Sequence, residues 1–359
     1  MFKKGFGKLI MKALLYGAAV LAVVIGVNCA VDASSVIRPQ HTQLAKLALS
    51  GNIVAVPENY NERVFQVCIV NNQKRIPETL VIGSSRGMFL GADITGYEDL
   101  YNCCVSGACI EDYYALLGLY FEKYKALPKR VIIETSPWVF YADNPEQRWK
   151  EDGKYHDAAC AFFMEVNGTK LAETSSAEAE NPYISLAYFR YNLEQWQEQG
   201  SKVFEEDARI SADLSEAADY PDGTIRYQAA SENESEERLA KVQSTSGACT
   251  YENSDQMTQV DPEKSLQYEN LIDYLQDHGT EVILYMQPFS VTQCRYSFDE
   301  NLNPGFSPAN EYLIRLANEK ELDLRGGYDA RAFALSDERF IDYMHLDREG
   351  TKVVWEYGE

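Results

Sequence analysis

Apolar and polar positions along the chain predict an α/β fold. Short apolar runs at residues 78–82, 130–134 and 281–286 each end in small or polar residues, and a similar unit covers residues 99–107. Such runs are typical of buried strands in a parallel sheet. Stretches with apolar residues on one face predict the intervening helices, at residues 110–124, 262–278, 308–320 and from 348 onward. Strands that alternate with helices predict a doubly wound, mostly parallel sheet.

Two stretches interrupt this pattern. Residues 34–75 are expected to form a connector, with some helical character at residues 43–49, between the N-terminal segment and the main domain, which covers residues 76–359. Residues 143–261 are rich in Glu, Ser, Asn and Ala, which predicts a long insertion that acts in part as a lid. It should contain an amphipathic helix at residues 184–199, and parts of the acidic stretch at 205–252 should be mobile loop.

The first 33 residues form a candidate membrane anchor. An uncharged apolar run covers residues 13–31, and only Tyr16 and Asn28 interrupt it. Four lysines precede this run: Lys3, Lys4, Lys8 and Lys12. The run is long enough to span a bilayer, and positive flanks stay in the cytoplasm, so everything after Asp32 should lie outside. A cleaved signal peptide is the alternative, but residues 29–33 offer only a mediocre cleavage site, which favours an uncleaved anchor. Asn28, directly before Cys29, disfavours a lipoprotein signal.

Charge and metal-ligand content exclude several function classes. The chain has a formal net charge of −22; residues 1–35 hold four lysines and one aspartate, so the rest has 29 basic and 54 acidic groups, a net charge of −25. Nucleic acid is therefore excluded as a partner, and tight binding of any polyanion is disfavoured. The chain has four histidines, and no pair of its eight cysteines has zinc-ligand spacing near one of them, so we expect no metal and no cofactor. Disulfides are permitted outside the cell, but their connectivity cannot be read.

Three residues form a candidate catalytic set. Ser85 follows the first predicted strand, on a turn that should lead into a helix whose N-terminal N–H groups favour an oxyanion. His345 can accept a proton from a serine, and Asp342, three residues earlier, can orient its ring. A Gly-Ser-Ser turn alone is common. The catalytic interpretation depends on the order of the residues: the serine follows the first strand, and Asp and His occur together near the end of the chain.

This order resembles the SGNH (GDSL-like) hydrolase superfamily. The family's first block corresponds to Gly83-Ser84-Ser85, its second-block glycine to Gly107, and its last block to Asp342-x-x-His345. The resemblance implies a flavodoxin-like three-layer α/β sandwich, with Ser85 as nucleophile and the N–H groups of Ser85 and Gly107 in an oxyanion hole. The family's third oxyanion donor, an asparagine in the third block, has no counterpart here.

In place of that asparagine, Ser136-Pro-Trp-Val-Phe140 is similar to the Ser-Pro-Gln-Trp-Phe signature of the DltD-like family of teichoic-acid D-alanylation, with one residue missing. That family shares the single N-terminal helix, the Gly-Ser-Ser block and the Asp-x-x-His-Leu ending. The hydroxyl of Ser136 or Thr135 could then be the third oxyanion donor, or the hole has only two. Arg86 and Trp138 are expected to contact substrate, although a solvated arginine fits the sequence equally well.

These resemblances imply an extracytoplasmic serine acyltransferase or esterase that acts on O-acyl groups of cell-envelope polymers, either glycan or teichoic acid. The cell membrane and a membrane acyltransferase are the candidate partners. The charge of −25 weighs against a polyanionic acceptor. The alternatives are a non-catalytic envelope scaffold or a binding protein that retains the fold.

Overall fold

The computed structural model describes residues 2–33, 36–38, 40–57, 60–171, 181–204, 208–227, 235–247 and 257–357. Its strands, in chain order, are β1 Val54–Ala55, β2 Thr79–Ile82, β3 Leu100–Asn102, β4 Arg130–Glu134, β5 Ala218–Asp219, β6 Ile225–Arg226, β7 Glu281–Met286 and β8 Asp323–Gly326. Its helices are α1 Phe2–Val31, α2 His41–Leu49, α3 Glu62–Asn72, α4 Ala92–Thr95, α5 Ile110–Tyr124, α6 Gly153–Asn167, α7 Leu186–Gln199, α8 Ser235–Thr245, α9 Pro262–Asp277, α10 Val291–Cys294, α11 Phe306–Glu319 and α12 Arg348–Tyr357.

Five strands form one parallel sheet, in the spatial order β3-β2-β4-β7-β8. The first strand of this sheet along the chain therefore lies between the second and the third, which is the strand order of flavodoxin-type doubly wound sheets. After β3, which lies on one side of β2, the next strand β4 is added on the other side, so the strand order reverses between β2 and β4. Ligands of such sheets bind at the carboxyl ends of the strands at that point. The prediction of an α/β fold with a mostly parallel sheet is confirmed.

The central strands explain the apolar runs of the sequence. All residues of β2 are buried, and so are all but the first residue of β4 and β7, because neighbouring strands and helices cover them. The edge strand β8 was not predicted, because its four half-buried residues include Asp323 and Arg325 and do not form an apolar run.

Residues 34–75 belong to the core rather than to a linker. The described part of this range contains α2 and α3, whose apolar side chains join the main hydrophobic core. Arg63 of α3 is buried and forms a bidentate ion pair with Asp112 of α5, with nitrogen–oxygen distances of 2.7 and 3.0 Å. A buried charge is tolerated only where such a partner is fixed, so α3 is held firmly in the core. The prediction of a connector is therefore wrong for this part of the chain.

The insertion also contributes to the core. Its first helix, α6, packs closely on α5 at Gly118, where an added Cβ would lie 2.5 Å from the carbonyl oxygen of Ala158. The strands β5 and β6 form a small antiparallel sheet with β1. The predicted amphipathic helix is α7, which packs against α1. The acidic stretch at 205–252 lies partly outside the described residues.

The N-terminal helix α1 includes the segment Ile10–Val31, which is long and apolar enough to span a bilayer or to act as a signal sequence; its mean hydropathy is 2.3. Most of its residues are exposed, unlike those of a core helix. Its C-terminal end, however, contacts the rest of the protein.

Candidate active site

Ser85 lies on a tight turn at the carboxyl end of β2. The turn requires Gly83, whose φ is +149° and whose added Cβ would lie 2.6 Å from Cβ of Glu134. Ser85 begins a 3₁₀ turn that ends at Gly87. The expected helix directly after the serine is therefore wrong, and no long helix dipole supports the site. Any oxyanion there would depend on individual N–H groups.

The structure brings the three residues of the predicted catalytic set together. The Ser85 hydroxyl oxygen lies 2.8 Å from Nε2 of His345, across 260 positions of sequence. The Nδ1 of His345 lies 2.9 and 3.0 Å from the two carboxylate oxygens of Asp342. Ser85 and His345 are both half-buried.

Asp342 is held as a carboxylate. Burial by itself raises the pKa of Asp342, but the charge and hydrogen bond of His345 and the N–H groups of Met344 and His345 outweigh it, and the pKa falls to about 2. The carboxylate therefore accepts the Nδ1–H of His345, which leaves the Nε2 lone pair directed at Ser85. This is the tautomer in which imidazole can act as a base towards the serine.

Gly107 lies on the loop after β3, at the same edge of the sheet. Its neighbours are fixed: Ser106 donates through its N–H and its hydroxyl to Glu62, at 2.5 and 2.7 Å, and the N–H of Cys109 donates to Asp112 at 2.9 Å. Among the described residues, the N–H groups of Ser85 and Gly107 donate no hydrogen bond within the protein.

The Trp138 side chain lies in the core of the protein. It is fully buried, and its indole N–H donates to the carbonyl oxygen of Ala108, next to Gly107, at 3.2 Å. The predicted substrate-binding role is therefore wrong. The tryptophan instead holds the loop that carries Gly107.

Ser136 lies beneath the turn that carries Ser85. Its hydroxyl donates to Oε1 of Glu134 at 2.7 Å and accepts from Nη1 of Arg86 at 3.2 Å. Oε2 of the same buried glutamate accepts the N–H of Ser84 at 2.7 Å. A hydroxyl has one proton, so this geometry leaves Ser136 none for an oxyanion. The prediction that Ser136 is the third oxyanion donor is therefore wrong, and Ser136 instead supports the turn that carries Ser85. The other candidate, Thr135, has its hydroxyl in contact with the hydroxyl of Tyr268.

Arg86 points into the protein. Its side chain is 1% exposed, and its guanidinium lies over the Phe289 ring, 3.9 Å from the centroid. It donates to Ser136, to the carbonyl oxygen of Gln287, and through Nε to that of Met344 at 3.2 Å. Both the substrate-binding and the solvated interpretations of Arg86 are therefore wrong.

The insertion borders the histidine. Tyr227 presents its ring at an angle of 62° to the His345 ring, with centroids 6.2 Å apart. The hydroxyl of Thr245, at the end of α8, accepts the N–H of Tyr343 at 3.3 Å. No sequence motif indicated these two residues. Their contacts with the histidine loop come from distant parts of a polar insertion.

The cysteines near Gly107 are core residues. Cys103, Cys104 and Cys109 are buried thiols, and burial raises the pKa of Cys103 to about 12, so these groups are poor nucleophiles. No disulfide occurs among the cysteines that the structure describes, and Cys249 lies outside them.

Comparison with protein-family models finds no match, and comparison with curated proteins finds no significant one. The resemblance to SGNH hydrolases and to the DltD-like family therefore rests on the short sequence blocks alone.

Proposed function

We propose that this protein is an extracytoplasmic serine acyltransferase or esterase of SGNH type that acts on O-acyl groups of cell-envelope polymers. The hydrogen-bonded chain of Ser85, His345 and Asp342 carries the proposal. It joins residues from opposite ends of the sequence at the edge of the sheet where doubly wound folds bind ligands.

In the first step, the Ser85 oxygen attacks the acyl carbonyl carbon while Nε2 of His345 takes its proton. Asp342 stabilises the resulting imidazolium. The oxyanion of the tetrahedral intermediate accepts hydrogen bonds from the N–H groups of Ser85 and Gly107, each worth roughly a hundredfold in rate. His345 then returns the proton to the leaving alkoxide, which departs as an alcohol and leaves the acyl group as an ester on Ser85.

In the second step, the acceptor attacks the acyl-Ser85 ester. His345 removes the proton of an incoming hydroxyl, from a polymer in the transferase or from water in the esterase. The second tetrahedral intermediate uses the same two N–H groups, and its collapse returns the proton to Ser85. The same residues serve both reactions, and the acceptor decides between them.

The charge of the protein favours a neutral or partly cationic polymer as the acyl-bearing substrate. Outside residues 1–35 the chain carries −25, so a neutral glycan or an alanylated teichoic acid suits it better than an unmodified polyphosphate. Resemblance to the DltD-like family favours transfer, with a membrane acyltransferase as the partner that supplies the acyl group.

Localisation at the outer face of the cell membrane is part of the proposal. The bonds between the outer end of α1 and the domain support retention of this helix, since cleavage at residues 29–33 would remove Asn28 and its hydrogen bonds to Pro182 and Ser185.

A non-catalytic scaffold is the second candidate, and the absence of a third oxyanion donor favours it. Mass spectrometry of the full chain in detergent, after treatment with a fluorophosphonate, separates the two. The enzyme requires one phosphonyl adduct, formed at Ser85 with loss of fluoride, that is absent in Ser85→Ala and His345→Ala and retained in Ser265→Ala, a variant of a hydroxyl that bonds only within its own helix turn. A folded wild-type chain without an adduct would favour the scaffold.

A further inference from the structure

The outer end of α1 is hydrogen-bonded to the turn that precedes α7. The amide nitrogen of Asn28, fully buried, lies 2.9, 3.3 and 3.0 Å from the carbonyl oxygens of Pro182, Tyr183 and Ser185. The amide of Asn192 on α7 donates to the Asn28 side-chain oxygen at 3.3 Å. One polar residue of the apolar run thus satisfies several backbone groups of a distant segment.

More bonds join α7 to the residues just beyond α1. The hydroxyl of Tyr188 donates to the carboxylate of Asp32 at 2.5 Å, and the N–H of Ala33 donates to the side-chain oxygen of Asn192 at 2.8 Å. The two helices pack side by side. The contact is therefore a built interface between the candidate anchor and the insertion.

The same segment exposes large apolar side chains. Tyr183, Ile184 and Leu186 are 46%, 51% and 62% exposed. They continue the exposed apolar surface of α1, and Leu186 and Phe189 line a groove together with α1 residues Ala19, Val20, Val23 and Val24. Exposed apolar patches of this kind mark contacts with proteins or membranes.

The depth of the groove residues along α1 indicates that lipid covers this surface. A helix rises about 1.5 Å per residue, so Val24 lies roughly 10 Å below Val31, within one leaflet of a bilayer whose apolar core is about 30 Å thick. Leu186 and Phe189, which line a groove with Val24, reach a similar depth. Backbone carbonyls inside the apolar core need partners within the protein, and Asn28 is a partner of the carbonyls of Pro182, Tyr183 and Ser185.

We propose that the segment from Tyr183 to Phe189 is a second membrane contact, immersed in the acyl chains of the outer leaflet beside α1. This second contact holds the domain against the bilayer in one orientation. Anchoring by α1 alone would leave the domain free to rotate. The proposal rests on α1 as a retained membrane anchor, and it is independent of the chemistry of Ser85.

Photocrosslinking of the full chain tests this contact. The chain carries p-benzoylphenylalanine at Leu186 and is reconstituted in vesicles of phosphatidylcholine and phosphatidylglycerol with alkyne-tagged acyl chains. The matched control carries it at Leu214, which is 80% exposed elsewhere in the insertion. We expect a lipid adduct at position 186 and none above background at position 214. Equal lipid labelling at both positions, no lipid adduct at 186, or an adduct to a second protein chain would overturn the proposal.

A second variant tests the role of Asn28. Asn28→Leu keeps the span apolar but removes the partner of the turn's carbonyls, so the lipid adduct at position 186 should fall severalfold while the chain stays in the vesicles. An unchanged adduct would show that Asn28 does not hold the turn in the leaflet. N-terminal sequencing of the vesicle-bound chain reveals cleavage of α1, and fluorophosphonate labelling of the same vesicles reports Ser85 separately.

Discussion

Nε of Arg86 donates a hydrogen bond to the carbonyl oxygen of Met344 at 3.2 Å. These two residues are the direct neighbours of Ser85 and His345, so one buried guanidinium joins the serine turn to the histidine loop. Gln287 reinforces the link, since its carbonyl accepts from Arg86 and its amide donates to the same Met344 oxygen at 3.0 Å. The distance between Ser85 and His345 therefore depends on Arg86.

Arg86→Lys should impair this alignment. An ammonium group cannot reproduce the planar fork that reaches three separate acceptors. Phosphonylation of Ser85 should slow by about 10- to 100-fold, as a displacement on the order of 1 Å would cause. Stability should fall by about 1–3 kcal/mol, because buried acceptors lose a charged donor. Rates are compared on the folded fraction at a temperature below both melting transitions.

Arg348→Lys is the matched control for Arg86→Lys, because Arg348 forms an exposed ion pair with Asp93. Such pairs contribute about 0–1 kcal/mol, so this variant should match the wild type. An Arg86→Lys chain that is labelled at the wild-type rate would contradict the positioning role.

Trp138→Phe tests how the Gly107 loop is held. The ring volume is largely kept, but the Ala108 carbonyl loses its indole partner, at a cost of about 1–3 kcal/mol. If that bond orients the Gly107 N–H, acylation should slow by roughly tenfold while the Ser85–His345 pair is intact. The measurement is the labelling rate of Ser85 alongside the melting temperature.

Trp149→Phe controls for the general loss of a buried indole, because Trp149 is 4% exposed and stacks on His156 in the insertion. It should lower stability without a selective effect on labelling. Equal rate losses in the two tryptophan variants would indicate a purely structural role for Trp138.

Asp342→Asn should abolish reactivity while leaving the fold intact. An asparagine amide can donate to Nδ1 of His345, which moves the ring proton to Nε2 and removes the base that faces Ser85. In the serine-protease triad the same exchange costs about 10⁴-fold, and we expect a loss of that order. Asp99→Asn, at an exposed pair with Arg75, should react normally. Labelling of Ser85 at the wild-type rate in Asp342→Asn would contradict the view that Asp342 keeps the ring proton of His345 on Nδ1.

The sequence carried enough information for the central strands and the three catalytic candidates. Strands β4 and β7 have the predicted bounds, because a strand buried on both faces leaves a continuous apolar run. Ser85, Asp342 and His345 could be found because their residue types and chain order are distinctive. Their common location at one sheet edge follows from the parallel topology.

The supporting residues could not be assigned correctly, because side-chain direction depends on packing. Arg86 and Trp138 stand beside or near site residues in sequence, yet both turn into the core, where Phe289 and Ala108 supply their partners. Arg63 was missed for a similar reason, since its partner Asp112 is 49 positions away. Neither spacing nor composition indicates such contacts.

Asp219, on β5, should make the protein less stable as pH rises. Burial raises its pKa, the hydrogen bond from Tyr60 opposes this, and the charge of Glu62 adds to it, so the pKa reaches about 7. Because this value exceeds the unfolded one, the folded state binds the proton more tightly. That stabilisation is complete below about pH 4 and is lost as pH rises to about 7, a change of roughly 4 kcal/mol.

Asp219→Asn removes the titration and keeps an acceptor for the Tyr60 hydroxyl. Denaturant unfolding between about pH 4 and pH 8 should therefore show the variant gaining roughly 4 kcal/mol relative to the wild type as pH rises. Asp157→Asn, at a side chain 84% exposed, should keep the wild-type pH profile. A constant difference between Asp219→Asn and the wild type at every pH would mean that the Asp219 carboxyl titrates as it does in the unfolded chain, and that burial beneath Tyr60 does not hold its proton.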